Sequence, residues 1–152
     1  MKETVYQRLE ERVFRETCAN GLRLILVPKR GFSKCYAFFA TKYGSMDMQF
    51  SLNGVRKETP AGVAHYLEHK MFDTKEGNAL QELAKLGAEP NAFTSDAITG
   101  YYFESTEHFE ESLRILLSFV SVPYFTAESV AKEQGIIGQE IRMIEDDPQW
   151  QV

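Results

Sequence analysis

Short strands joined by tight turns limit the possible folds of this chain more than any other feature of its sequence. Asn20-Gly21 lies between the alternating apolar residues of segments 13–18 and 22–27, and this pattern predicts a β-hairpin. The apolar, aromatic segment 36–43 predicts a central strand, and a further strand is predicted over residues 46–52. Strands joined by such short connections pair antiparallel, so we expect a largely antiparallel sheet.

The sequence after residue 60 predicts mainly helices. After a predicted loop over residues 53–60, Val63, Leu67 and Met71 recur at helical spacing. The predicted helices cover residues 61–72, 78–86, 107–120 and 127–145, and two strands lie over 92–95 and 98–105. The predicted N-caps are Thr59, Thr106 and Thr126. The fold class is therefore α+β with two layers, a largely antiparallel sheet that carries helices on one face.

Composition fits one globular domain and excludes several classes of partner. The chain has 152 residues, 43% of them hydrophobic, which is enough to bury a core. Its net charge is -5 without any basic stripe, so we expect no nucleic-acid partner. The sequence contains no run of 18 apolar residues, so we expect no membrane span. Two isolated cysteines, Cys18 and Cys35, and a polar start predict a cytoplasmic protein.

The segment His65-x-x-Glu68-His69 lies in the first predicted helix and has the composition of a metal site. Residues four apart share one face of a helix, so both imidazoles can reach the same ion. They would supply two of the three protein ligands that a catalytic zinc needs. Glu68 could take a proton from a water molecule there. The alternative is three unrelated polar residues on an exposed helix, because so short a motif also arises by chance.

The last predicted helix offers a third ligand. Glu133 and Glu140 are seven residues apart, so they lie on one face of this helix. The small and apolar residues 135–138 between them allow close approach to another helix. Carboxylates beside a buried surface are costly unless they meet a cation, so this helix offers a candidate ligand. Taken alone, Glu140 would be an ordinary solvated carboxylate, but its combination with the histidine motif favours the ligand interpretation.

Three blocks of sequence extend this pattern. They are Gly62-x-Ala64-His65-x-x-Glu68-His69-x-Met71-Phe72, Gly87-Ala88-x-x-Asn91-Ala92-Phe93-Thr94-Ser95 and Glu133-x-x-x-Ile137-x-x-Glu140. In this order they resemble the pitrilysin or insulinase family of zinc peptidases, the M16 family, and the bacterial two-halved type above all. The resemblance implies the metallohydrolase fold that mitochondrial processing peptidase shares.

The resemblance also implies an activity and a set of site residues. The chain would be the metal-binding domain of a zinc-dependent endopeptidase, with one zinc ion per chain held by His65, His69 and Glu140. Glu68 would be the catalytic base, and Glu133 a second acidic residue that supports catalysis.

The substrate peptide would bind as an added strand along an edge of the sheet, through main-chain hydrogen bonds. The residues of this edge would be Asn91, Ala92, Phe93 and Thr94. Asn91 could also bond the substrate near the scissile carbonyl, or it could be an ordinary turn residue after Pro90.

Two departures from the family pattern affect the site. Glu140 follows His69 by 71 positions (140 minus 69), a shorter spacing than is commonest in the family. Lys70 stands where methionine is frequent, and we expect its ammonium to extend away from the ion toward solvent.

The resemblance further implies that residues 1–152 are a single N-terminal domain, truncated from a longer chain with a following homologous domain. The helix break at Asp146-Asp147-Pro148, just before the only tryptophan, Trp150, supports this expectation. The partners would be a peptide substrate and a missing C-terminal half or partner subunit, with a dimer as a further arrangement. We expect the isolated chain to bind zinc and to cleave peptides poorly.

Two other functions remain open at this stage. The chain could be a non-catalytic partner or structural subunit of the same family, because an intact site does not prove turnover. It could also be an S-ribosylhomocysteine lyase, which carries the same His-x-x-Glu-His motif. Those lyases take their third ligand from a cysteine downstream of the motif, whereas Cys18 and Cys35 both lie upstream here.

Overall fold

The computed structural model describes residues 1–145 and divides into two compact units, Met1–Ser33 and a second unit that begins at Lys34. The first unit is an antiparallel sheet in the order β1-β2-β3, with the strands Lys2–Tyr6, Glu11–Thr17 and Arg23–Leu26. Pairing of β2 with β3 confirms the predicted hairpin. Strand β1 was not predicted, because its mostly polar residues give no apolar alternation. The expected single-domain organisation stays a prediction.

The sheet of the second unit has the order β4-β10-β9 and is antiparallel throughout. Its strands are Cys35–Thr41 (β4), Glu89–Thr94 (β9) and Thr99–Ser105 (β10). The prediction of a central strand over residues 36–43 is wrong in the described part of the chain, where β10 occupies the centre. Strand β10 is buried along nearly its whole length, as a central strand must be, whereas β4 buries Ala37 alone.

Two short hairpins complete the strands of this unit. Strand β5 (Gln49–Leu52) pairs with β6 (Val55–Glu58), and β7 (Asp73–Thr74) pairs with β8 (Gly77–Asn78). The predicted loop over residues 53–60 is therefore wrong. Asn53 and Gly54 have φ angles of 52° and 77°, and two successive positive values make the tight turn of a hairpin.

The described residues form four α-helices. They are α1 (Val63–Lys70), α2 (Ala79–Lys85), α3 (Phe109–Ser121) and α4 (Ala127–Glu145). Thr126 caps α4 as predicted, because its Oγ1 accepts a hydrogen bond from the Ser129 N–H at 3.1 Å. The predicted caps Thr59 and Thr106 are wrong. Helices α1 and α3 instead follow Gly62 and His108, which have positive φ and make no side-chain cap.

The core lies between the sheet and the helices. Phe103 of β10, Leu83 of α2, and Leu116 and Phe119 of α3 are almost completely buried there. Each such side chain contributes about 1.5–3 kcal/mol by leaving water. Phe38 of β4 lies on the other side of the sheet and is exposed. The predicted fold class, an antiparallel sheet with helices on one face, is confirmed.

Two further predictions concern the C-terminal end of the chain and a membrane span. The helix break at residues 146–148 and Trp150 lie outside the described residues. Among the helices that the structure describes, none has the length and apolar character needed to cross a membrane.

Candidate metal centre

Helix α1 directs both histidines of the motif to one point. The Nε2 atoms of His65 and His69 are 3.1 Å apart, and their rings are nearly perpendicular, at 85°. From α4, Oε2 of Glu140 approaches each of these nitrogens to 3.8 Å. The side chains of His65 and Glu140 are 44% and 39% exposed, so the cluster opens to solvent. Three predicted ligands thus meet, although Glu140 lies far along the chain.

The donor set and its spacing fit a zinc ion. Zinc binds imidazole nitrogen and carboxylate oxygen at about 2.0–2.2 Å, so two ligands at a tetrahedral angle lie roughly 3.3 Å apart. The observed separations are 3.1 and 3.8 Å, and all three ligand atoms lie within 4.8 Å of one another. Two imidazoles and one carboxylate leave the fourth position free, which is the arrangement of a catalytic zinc site.

Contacts between α1 and α4 hold the two sides of this cluster together. The Tyr66 hydroxyl donates a hydrogen bond to the Val130 carbonyl oxygen at 3.2 Å. Glu133 follows on the same face of α4 and is buried. Glu140, two turns further on, therefore also faces α1. The Tyr66 side chain thus links the two helices across the cluster.

Glu133 contacts the ring of His69. Its Oε1 lies 3.0 Å from Nδ1, and its side chain is 12% exposed. A carboxylate only accepts hydrogen bonds, so Nδ1 must carry the proton. The lone pair of His69 then lies on Nε2, the atom that faces His65 and Glu140. A carboxylate behind a metal-binding histidine commonly selects the tautomer in this way.

Glu68, the predicted base, is buried beside strand β9. It is 9% exposed, and its Oε2 accepts a hydrogen bond from Thr94 Oγ1 at 2.7 Å. Its charge also acts on Tyr101 of β10. Burial raises the pKa of the Tyr101 hydroxyl far above its usual value, and the nearby charge of Glu68 raises it further. Glu68 is thus held through Oε2, and its Oε1 has no hydrogen-bond partner among the described residues.

The predicted substrate residues lie on β9, at the edge of the described sheet. The Ser95 N–H bonds to the Ile98 carbonyl oxygen, toward β10. Main-chain groups alternate sides along a strand, so those of Thr94 and Ala92 point away from β10. Asn91 belongs to the strand and is not a turn residue. Its Oδ1 accepts from the Ala92 N–H at 2.8 Å, and its amide NH₂ has no acceptor among residues 1–145.

A cleft of about 340 Å³ joins this edge to the metal cluster. Its polar lining includes Glu68, His69, Asn91 and Glu133. Apolar side chains, among them Leu80 and Ile136, line the rest. The candidate base, one candidate ligand and the edge strand therefore share one cleft, which has room for a side chain of a bound peptide.

Lys70 does not extend toward solvent, so that prediction is wrong. Its side chain is completely buried, with Nζ 2.5 Å from Asp73 Oδ2 and 5.7 Å from the centre of the Phe125 ring. The carboxylate and the ring face stabilise the buried ammonium. Asp73 follows Lys70 by three residues, a helical pairing distance, and this spacing was the available sequence signal. No comparable signal relates Thr94 to Glu68, because their contact depends on tertiary packing.

Comparison with known proteins identifies the class. Residues 52–152 match the family model described as "Insulinase (Peptidase family M16)". The chain therefore belongs to the M16 family. Membership excludes the lyase alternative, because the family is a peptidase family and the third position of the cluster holds a carboxylate.

Three bacterial proteins illustrate the similarity. The chain is 46% identical over its full length to "Uncharacterized zinc protease YmfH" of Bacillus subtilis, of which it covers 36%. It is 30% identical over 88% of its length to the B. subtilis protein "Uncharacterized zinc protease YmxG", covering 32% of that protein. The solved structure described as "putative M16-like peptidase from Alicyclobacillus acidocaldarius" superimposes with a TM-score of 0.87 at 40% identity, over 92% of this chain and 33% of that one. The chain thus spans about a third of the length of these relatives.

Proposed function

We propose that this chain is the metal-binding part of a zinc-dependent endopeptidase that hydrolyses peptide bonds in peptides or small proteins. The observation that carries the proposal is the convergence of His65 Nε2, His69 Nε2 and Glu140 Oε2, together with a cleft that both His69 and the buried Glu68 line. The names of the bacterial relatives as zinc proteases support the same reaction.

The residues have separate tasks in this reaction. Zinc, when bound by His65, His69 and Glu140, supplies Lewis-acid chemistry that polarises a carbonyl oxygen and lowers the pKa of water. Glu68 accepts a proton from the water that attacks the peptide carbon, and it returns that proton to the leaving amine nitrogen. Glu133 holds the Nδ1–H tautomer of His69, which makes it a positioning residue.

Strand β9 would orient the substrate. Main-chain groups of Ala92 and Thr94 are directed to the edge where an added peptide strand would pair. The free amide NH₂ of Asn91 can donate to a carbonyl oxygen of that peptide. The Ala92 N–H is bonded by the Asn91 side chain in the absence of substrate, so peptide binding would exchange one hydrogen bond for another.

The complete activity requires more than these residues. Because the chain spans about a third of its relatives, we propose that a C-terminal half or a partner subunit encloses the substrate. The isolated chain is then expected to bind zinc and to hydrolyse peptides slowly. A dimer and a cytoplasmic location stay predictions.

Metal analysis tests the proposed ligands directly. Purified chain should contain close to one zinc per molecule, while His65→Ala and Glu140→Gln should lose most of it. Glu128→Gln is the matched control, since it makes the same charge change on an exposed position of α4. Stoichiometric zinc that survives both ligand substitutions would contradict the site.

Kinetics of the full-length gene product separate the peptidase from a non-catalytic subunit. Glu68→Gln should keep its zinc and lose peptidase activity by about 10²–10⁴-fold, the usual contribution of a general base. A zinc-loaded wild-type protein that cleaves no peptide, alone or with its partner, would favour the non-catalytic subunit.

A further inference from the structure

The Thr94 side chain has a task that main-chain substrate binding does not explain. Thr94 Oγ1 donates a hydrogen bond to Glu68 Oε2 at 2.7 Å, across the interface between β9 and α1. We infer that the Thr94 hydroxyl is a positioning residue for the catalytic base, and this inference rests on the proposed peptidase function. The hydroxyl would hold Oε2 of Glu68 and leave Oε1 as the oxygen that exchanges protons.

Neighbouring groups fix the direction of this hydrogen bond. Besides Glu68, Thr94 Oγ1 has one polar neighbour, Thr99 Oγ1, at 3.5 Å among the described residues. Thr99 gives its own proton to the Tyr43 carbonyl oxygen at 2.8 Å. A hydroxyl has a single proton to donate, so that of Thr94 is free for the carboxylate. The Glu68 carboxylate accepts it at 2.7 Å, the short distance of a charge-assisted hydrogen bond.

The donor is also held rigidly. Thr94 pairs with Thr99 in the register of β9 and β10, which fixes its backbone. Its branched Cβ restricts χ1, so few side-chain positions compete with the one that reaches Glu68. Glu68 has three side-chain torsions of its own and sits on a different element. A rigid donor on the sheet therefore limits the positions of a flexible acceptor on the helix.

This arrangement links the substrate strand to the base. The main chain of Thr94 faces the edge where the peptide would pair, and its side chain reaches the carboxylate that acts on the attacking water. One residue thus sets the distance between the peptide and Glu68. Reacting groups gain rate when their geometry is fixed before the reaction, so loss of the hydroxyl should lower turnover more than substrate binding.

The substitution Thr94→Val tests the inference because valine keeps the branched shape and the main chain, and removes only the hydroxyl. In the full-length gene product, kcat should fall roughly tenfold, while KM changes less than about twofold and zinc content stays the same. Thr94→Ser returns the hydroxyl and should recover most of kcat. Thr41→Val, the same change at an exposed position of β4, should leave kcat unchanged. Thr94→Ala replaces the valine variant if valine prevents folding.

A crystal structure of the zinc-free chain gives a readout that does not depend on activity. Glu68 should occupy one rotamer in wild type and in Thr41→Val, and several in Thr94→Val. A single unchanged Glu68 rotamer in Thr94→Val, or a kcat equal to that of an active wild type, would overturn the positioning role alone. A zinc-loaded wild type without peptidase activity would overturn the proposed function and this inference with it.

Discussion

The contact between Glu133 and His69 leads to a quantitative prediction about zinc affinity. The carboxylate lies 3.0 Å from Nδ1, and with a side chain 12% exposed it leaves little room for water to replace it. A hydrogen bond to a charged group contributes about 1.5–3 kcal/mol, which corresponds to roughly a 10–100-fold change in a binding constant. Glu133→Ala should therefore weaken zinc binding by about 100-fold, and Glu133→Gln by about tenfold, because an amide oxygen still accepts the bond without a charge.

Competition with a chromophoric zinc chelator, at fixed ionic strength, measures these affinities on the purified chain. Fixed salt matters because part of the effect is the loss of a negative charge near a dication. Glu128→Gln removes the same charge at an exposed position of α4 and should change the affinity less than about twofold. The reasoning fails if Glu133→Ala binds zinc as tightly as wild type, or if Glu128→Gln weakens binding equally.

Three further predictions concern stability, each measured by urea or thermal unfolding. Gly44→Ala should cost about 3 kcal/mol, because its Cβ would lie 2.4 Å from the main-chain oxygen of Ser95, which cannot move aside; a cost below about 1 kcal/mol would contradict this. Asp73→Asn should lower the free energy of unfolding by about 3 kcal/mol, because it leaves the buried Lys70 ammonium unpaired. Lys70→Met leaves only a partly exposed carboxylate unpaired and should lower the free energy of unfolding clearly less. Equal losses in the two variants would refute this difference. Burial raises the pKa of Tyr101, so the unfolded chain loses this proton at a lower pH than the folded chain, and the free energy of unfolding should fall as pH rises above about 10. Tyr101→Phe should reduce that loss. An unchanged dependence of stability on pH in the alkaline range would contradict the assignment.

A local signal predicted a helix well where the cap residue was identified correctly. Helix α4 has the predicted bounds, Ala127–Glu145, because the Thr126 cap marks its start. Strand β5 lies within the strand predicted over residues 46–52, whereas β6 was predicted as part of a loop because it is short and largely polar. Asn53-Gly54 carries the same turn signal as Asn20-Gly21, and greater weight on that dipeptide would have found the hairpin.

In the candidate site, too, some relations between residues could be predicted from local spacing and others could not. Residues four or seven apart on a helix share a face, so the sequence was enough to relate His65 to His69 and Glu133 to Glu140. The pairing of Glu133 with His69 depends on how α1 packs against α4. The burial of Lys70 depends on how α1 packs against Phe125, which precedes α4. Such contacts follow from tertiary packing, which no local periodicity records.

The ligands come from helices that are far apart in the chain, and this has a consequence for how the protein tolerates change. An ion shared by His69 and Glu140 would cross-link a loop of 71 positions. The chain entropy lost on closing a loop grows only with the logarithm of its length, about 0.6 kcal/mol for each doubling. Most of that segment is folded, because it contains α2, β9, β10 and α3, so the low cost of a length change applies only to the connections between these elements. Removal of the ion would remove a cross-link between α1 and α4 while the core between them stays packed.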